Sequence, residues 1–349
     1  MLESTPPTEE YGVTYLLVSH VSDVECLAYA LRVTTSVPRP LEVPSPCTTD
    51  AMRHFLFGGT AAAAVGTAFL WRRREAADGK PLRALKPDVS LMCPLQSKQW
   101  VGNDTVLLRF GLPSPEHVLG LPVPGHVMVI DESFIYRPYS PVTVDATSKG
   151  HFDLLVKHYP GGEISTQLAR MRCGDLAHVR GPCGSDFTYR RGVARQLGMV
   201  AAGTGITPMW QIIQTILDDP EDTTQIRLVY ASRSADDILL KPELDAAAAK
   251  HPDRFSTHYV VSRPAEGQPL PEGASAGRVD AAVLRGQLPP PASTDDQKAH
   301  VLVCGSEPML RALCGPRARD GPTPPGQRRP PLSGLLKELG YRDDEVTWL

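Results

Sequence analysis

Between Gly198 and Leu217 the chain writes a strand, a glycine turn and a helix in immediate succession. Gly198-Met199-Val200-Ala201-Ala202 is an uncharged apolar run, Gly203-Thr204-Gly205 breaks it, and apolar residues return at helical spacing from about Pro208 to Leu217. The pattern continues with a strand at Gln225–Tyr230, a helix from about Pro242 to Ala249, and strands at Thr257–Val261 and Ala299–Cys304. Strands alternating with helices predict a parallel-sheet α/β domain over residues 191–349.

The texture upstream is different. From Val89 to about Tyr189 short alternating runs, such as Thr105–Phe110, Gly125–Ile130 and Phe152–Lys157, are separated by Gly and Pro clusters. This spacing predicts an antiparallel β-barrel or sandwich over residues 88–190. The expected fold class is therefore β + α/β, an antiparallel barrel followed by a parallel-sheet domain. A length of 349 residues accommodates two such cores.

Composition narrows the function classes. A formal net charge of -3 argues against nucleic acid as a partner, because phosphate binding needs a basic excess. The seven cysteines (Cys26, Cys47, Cys93, Cys173, Cys183, Cys304 and Cys314) contain no C-x-x-C pair and leave one over. That suits a reducing compartment and lacks the clustering of a zinc or iron–sulfur site, so no metal is expected.

Residues 1–54 read as an unassigned extension, too acidic near Glu3, Glu9 and Glu10 for a mitochondrial transit peptide. Met52 is an alternative start. Phe55–Trp71 carries no charge and is followed directly by Arg72-Arg73-Arg74, which reads as a short transmembrane anchor with its basic flank toward the rest of the chain. A small-residue helix packed on protein, or a cleaved targeting segment, is the other reading. Residues 72–87 read as a linker, and residues 315–331 as a proline-rich loop.

Four further segments carry chemistry. In Arg137-Pro138-Tyr139-Ser140 the guanidinium fork matches a diphosphate, the phenol ring suits stacking on a flat heterocycle, and the hydroxyl can reach a ring nitrogen. Gly161-Gly162-Glu163-Ile164-Ser165 opens a helix, whose free N–H groups attract phosphate. Gly203-Thr204-Gly205-Ile206-Thr207-Pro208 allows a pyrophosphate to approach the backbone, with Pro208 favouring the helix start, although it lacks the full G-x-G-x-x-G pattern. Cys304-Gly305-Ser306-Glu307-Pro308-Met309 ends a strand of the same sheet, where ligands bind. Taken singly, each has a plainer explanation: an edge strand, an N-cap, a tight turn, a buried cysteine.

Together these residues, with Asp237-Ile238-Leu239-Leu240-Lys241-Pro242-Glu243-Leu244, closely resemble the NADH–cytochrome b5 reductase family of the ferredoxin–NADP reductase-like superfamily, over roughly residues 88–349. The resemblance implies an FAD-binding barrel, an NADH-binding α/β domain, and electron flow from NADH through FAD to cytochrome b5 or a similar haem protein. It places Arg137, Pro138, Tyr139, Ser140, Leu155, Lys157, Tyr159, Gly162, Ile164, Ser165 and Thr207 around FAD. Gly203, Thr204, Gly205, Pro208, Asp237, Cys304, Gly305, Pro308 and Met309 would serve NADH. Ser140, Lys157 and Cys304 would act at the reacting ring, with Lys157 offering positive charge to the reduced flavin. Asp237 implies preference for NADH by repelling a 2′-phosphate, while Arg233 pulls the other way. Ser306 and Glu307 replace prolines usual in the family, and Glu163 adds a negative charge beside the expected diphosphate. An acceptor other than cytochrome b5 (an oxygenase or nitrate-reducing partner) and a weakened, membrane-tethered binding protein are the alternatives. The expected location is a mitochondrial membrane (outer membrane or intermembrane space), with the endoplasmic reticulum second.

Overall fold

The computed structural model describes residues 81–265, 267, 269–292, 299–316 and 330–349. The expected extension, anchor and most of the linker lie outside the described residues, as do 317–329 of the proline-rich loop. No helix among the described residues is long and apolar enough to cross a membrane.

In chain order the elements of the first lobe are β1 (Leu82–Arg83), β2 (Ser90–Trp100), β3 (Thr105–Gly111), β4 (His117–Val118), β5 (Gly125–Ile130), β6 (Tyr136–Tyr139), β7 (His151–Lys157), α1 (Glu163–Arg170) and β8 (Leu176–Gly184). The second lobe has β9 (Gln196–Ala202), α2 (Ile206–Asp218), β10 (Gln225–Ser232), α3 (Lys241–Lys250), β11 (Phe255–Val261), β12 (Ala274–Ala276), α4 (Ala281–Gln287), β13 (Ala299–Cys304), α5 (Glu307–Cys314), α6 (Leu335–Glu338) and β14 (Val346–Trp348).

The first lobe is a six-stranded antiparallel sheet in the order β6-β5-β8-β2-β3-β7. Strict alternation along β5 puts Val127 and Val129 inside, and Val106, Leu108, Phe110, Phe152, Leu154 and Val156 join them from β3 and β7. The helix α1 closes this core with Ile164 and Leu168, four residues apart on one face. Leu155, on the opposite face of β7, is buried with the second lobe instead.

The second lobe is a six-stranded, wholly parallel sheet in the order β12-β11-β10-β9-β13-β14. Its central strand β9 is buried on both sides, in keeping with its unbroken apolar run. Leu197, Met199 and Ala201 face α2, while Val200 packs with Leu284 of α4 and Leu310 and Leu313 of α5. The expected helices at 208–217 and 242–249 form with slightly longer bounds. The C-terminal carbonyls of α2 are gathered by Arg254, whose guanidinium donates to Leu217 O at 3.1 Å and to Ile216 O at 3.4 Å, and also to Asp222 O of the following loop at 2.6 Å. A cation there also answers the negative end of the helix dipole.

β9 starts the sheet, β10 to β12 extend it one way, and β13 returns on the other side of β9. The strand order thus reverses between β9 and β13, and the loops after these two strands open a crevice at their C-terminal ends. The lobes share one core: Val142, Leu155 and Phe187 of the first are buried with Met209, Ile212 and Ile213 of α2.

Candidate cofactor cleft

The crevice is a cleft of about 1510 Å³ between the two lobes. Every residue expected at the two cofactors, from Arg137 through Met309, lines it, so four segments far apart in sequence meet on one surface. The volume exceeds the roughly 300–1,000 Å³ of an ordinary small-ligand pocket and suits two extended ligands.

Arg137 lies on the edge strand β6, paired with Val129 of β5. Its Nη1 donates to Tyr136 O at 2.9 Å, which steadies the side chain while leaving most of the fork to a ligand. Tyr139 is half-buried, and burial pushes its phenol up to about 12, so the ring stays neutral across physiological pH. Opposite stands the start of α1. Gly162 is its N-cap, with no side chain capping the helix, so its first N–H groups are left for an anion. Ser165 is turned inward: its Oγ accepts from Tyr159 N and donates to Gly162 O, both at 3.3 Å, and so braces the turn. Glu163 stands exposed in the first turn, also on the cleft.

On the second lobe, Gly203 has a φ of +54°, and a Cβ placed there would meet nothing within 4 Å, so the backbone is bare toward the cleft. Tyr230 Oη donates to Gly203 O at 3.0 Å, and Thr207 Oγ1 to Thr204 O at 3.0 Å, holding the turn. Gly205 backs onto the β13 loop: a Cβ there would lie 2.2 Å from Cys304 O and 2.9 Å from Gly305 N. Only glycine lets the two loops touch, and this contact presents Cys304 and Gly305 beside Thr204 and Thr207. The residues present therefore fit a flavin dinucleotide on one lobe and a nicotinamide dinucleotide on the other: a diphosphate-matching arginine, open helix amides, a bare glycine turn and apolar walls.

Lys157 differs from expectation in one respect. Its ammonium is ion-paired with Asp104 Oδ1 at 2.6 Å, where Thr105 Oγ1 also donates at 3.0 Å. Burial raises the Asp104 carboxyl, but the hydrogen bonds from Lys157 and Thr105 and the charges of Lys157 and Arg233 outweigh it and hold it below the usual carboxylate range. Lys157 is thus half of a charge pair rather than an unopposed cation. Asp237 lines the cleft with Oδ2 accepting from Ser234 N at 3.2 Å and Ser234 Oγ at 2.8 Å.

Sequence reasoning passed over several lining residues. Arg278 and Ser232 line the cleft, as does Arg233. Trp348 and Leu349 reach the cleft because β14 pairs with β13, Trp348 opposite Val303, and Leu349 N donates to Val303 O at 2.9 Å. Nothing local in the sequence marks Asp104 or Arg278, and Trp348 and Leu349 come to the cleft only through the pairing of β14 with β13.

Known proteins share this arrangement. Residues 92–189 match the oxidoreductase FAD-binding domain family and residues 199–315 the oxidoreductase NAD-binding domain family. NADH-cytochrome b5 reductase 1 of Eremothecium gossypii is 43% identical over 219 residues, which cover 62% of this chain and 74% of that one. This chain belongs to the NADH–cytochrome b5 reductase family. A second member, NADH-cytochrome b5 reductase 2 of Xenopus tropicalis, is 39% identical over 261 residues, 67% of this chain and 83% of that protein. Among solved structures, the cytochrome b5 reductase domain of Ulva prolifera nitrate reductase superposes with a TM-score of 0.64 at 31% identity, covering 76% of this chain and 100% of that domain. The reductase family thus accounts for both lobes and for the cleft between them.

Proposed function

We propose that this chain is an NADH-dependent flavoprotein reductase that takes hydride from NADH onto FAD and delivers single electrons to cytochrome b5. The observation that carries the reading is the convergence of the four motif segments on one interlobe cleft large enough for both dinucleotides. Bound FAD supplies the two-electron to one-electron conversion. The chain's own residues bind, orient and tune.

Arg137 and the N-terminal amides of α1, with Gly162 and Ser165 shaping the turn, hold the FAD diphosphate. Tyr139 and Leu155 wall the ring, Ser140 donates to its edge, and Pro138, Tyr159 and Ile164 complete that side. Gly203 to Gly205 bring bare backbone to the NADH pyrophosphate, with Pro208 at the helix start. Thr207 approaches the flavin ring, and Cys304, Gly305, Pro308 and Met309 place the nicotinamide toward it. Lys157 places positive charge at the ring, moderated by Asp104. Asp237 selects NADH by accepting from a ribose hydroxyl and repelling a 2′-phosphate.

The anchor at 55–71 would hold the reductase in a mitochondrial membrane, in the plane of its haem partner, where effective concentration is high. Its support is the uncharged run followed by three arginines. Carbonate extraction of fractionated membranes would leave an anchored chain in the mitochondrial pellet; release into the supernatant would overturn the anchor, and recovery with endoplasmic reticulum would overturn the compartment.

The test of function is an anaerobic spectrum of the purified full-length chain before and after one equivalent of NADH, followed by oxidised cytochrome b5. Prompt flavin bleaching and haem reduction are expected. Bleaching by NADPH but not NADH would reverse the reading of Asp237. Ferricyanide reduction without haem reduction would point to another acceptor, and a colourless protein that refuses FAD would end the enzyme reading.

A further inference from the structure

Gln211 is a polar side chain in the middle of an apolar helix, and it is 2% exposed. It belongs to α2 of the second lobe, yet all its partners are in the first. Its Oε1 accepts from Gly125 N at 2.8 Å, and its Nε2 donates to Gly125 O at 3.1 Å and to Pro141 O at 2.8 Å. The carboxamide is therefore oriented by its surroundings, since the reverse placement would set N–H against N–H. One turn on, Gln214 Nε2 donates to Val142 O at 2.9 Å. Thr207, Gln211 and Gln214 follow at spacings of four and three, so they share one face of α2.

These contacts tie together two points that the chemistry needs in register. Pro141 directly follows Tyr139 and Ser140 on the flavin side. Thr207 and the Gly203–Gly205 turn lie at the start of the helix that carries both glutamines. Tyr189 Oη also donates to Asp222 Oδ2 across the lobes, but beyond the C-terminal end of α2. The interlobe contacts beside α2 are otherwise largely apolar. Dispersion contacts tolerate sliding, whereas hydrogen bonds with both carboxamide atoms engaged do not.

We propose that Gln211, seconded by Gln214, is the positioning residue that sets the separation between the Tyr139–Ser140 segment and the Gly203–Thr207 turn, and hence between the flavin and the nicotinamide ring. This rests on the electron-transfer reading for its kinetic consequence, though the clamp itself can be tested without it. Because misplacement by about 1 Å can cost on the order of 10²-fold in rate, the effect should fall on hydride transfer rather than on cofactor capture.

The test compares wild type with Gln211→Met, which keeps length and volume but removes all three hydrogen bonds. The first readout is amide hydrogen exchange at Gly125, whose N–H loses its acceptor; exchange should quicken at least about tenfold. The second is stopped-flow flavin reduction by NADH and by 4-deuterated NADH. The hydride step should slow by about 10²-fold at saturating NADH, with the isotope effect on steady-state turnover rising as that step becomes limiting, while flavin content stays at wild-type level. Lower thermal stability with an unchanged hydride rate and isotope effect would make Gln211 merely structural and overturn the proposal. If Gln211→Met does not fold, Gln214→Met reads the same quantities through a single contact and should slow hydride transfer several-fold; no change would likewise overturn it. Should wild type itself not be reduced by NADH, the proposed function fails, and the clamp stands or falls on the Gly125 exchange.

Discussion

Gly205→Ala probes the contact on which the cleft depends. The added methyl would lie 2.2 Å from Cys304 O, 2.6 Å from Cys304 C and 2.9 Å from Gly305 N, all of them backbone atoms that cannot rotate away. Reaching a tolerable 3.0 Å requires the β9 and β13 loops to part by about 0.8 Å. Overpacking of this kind costs roughly 1–3 kcal/mol, and a displacement approaching 1 Å at the reacting centre costs up to about 10²-fold in rate. We expect a urea midpoint lowered by that stability and a hydride-transfer rate lowered by about one to two orders of magnitude. Gly286→Ala is the internal control: it sits in α4 with nothing within 4 Å of its Cβ, so it should stabilise by about 0.4–1 kcal/mol and leave kinetics alone. Wild-type hydride transfer in Gly205→Ala, with stability matching the control, would refute the claim that direct contact of the two loops positions the nicotinamide end of the cleft.

The Asp104–Lys157 pair predicts a redox effect. Asp104→Asn leaves the Lys157 ammonium unopposed, so the flavin midpoint potential should rise by about 30 mV, equivalent to about 1.4 kcal/mol for two electrons, in a spectroelectrochemical titration; an unchanged potential would mean that Lys157 does not act on the flavin. His126, on the cleft beside Gly125, is pushed below its ordinary 6.5 by burial. The fold therefore keeps it neutral while the unfolded chain takes up a proton, so stability should fall as pH drops from about 6.5 through the lower folded value, and His126→Gln should flatten the dependence of Tm on pH over that window. Parallel curves for the two proteins would exclude His126 as the source.

What the amino-acid sequence determines by itself is everything set by local pattern. The uninterrupted apolar β9, the alternation along β5 and the glycine break at Gly203 specify strand type, sheet type and the strand–turn–helix unit, because burial on one face or two leaves a period in the residues. The motif segments were legible for the same reason, since each carries its phosphate-binding turn or diphosphate fork within a few neighbouring residues. Only the tertiary structure decided what lies between segments. Asp104 reaches Lys157 across 53 positions, Gln211 reaches Gly125 across 86, and Trp348 enters the cleft through pairing with β13. An aspartate in a turn, a glutamine in a helix and a C-terminal tryptophan have ordinary local explanations, and their roles come from partners that only the folded chain brings within hydrogen-bonding distance.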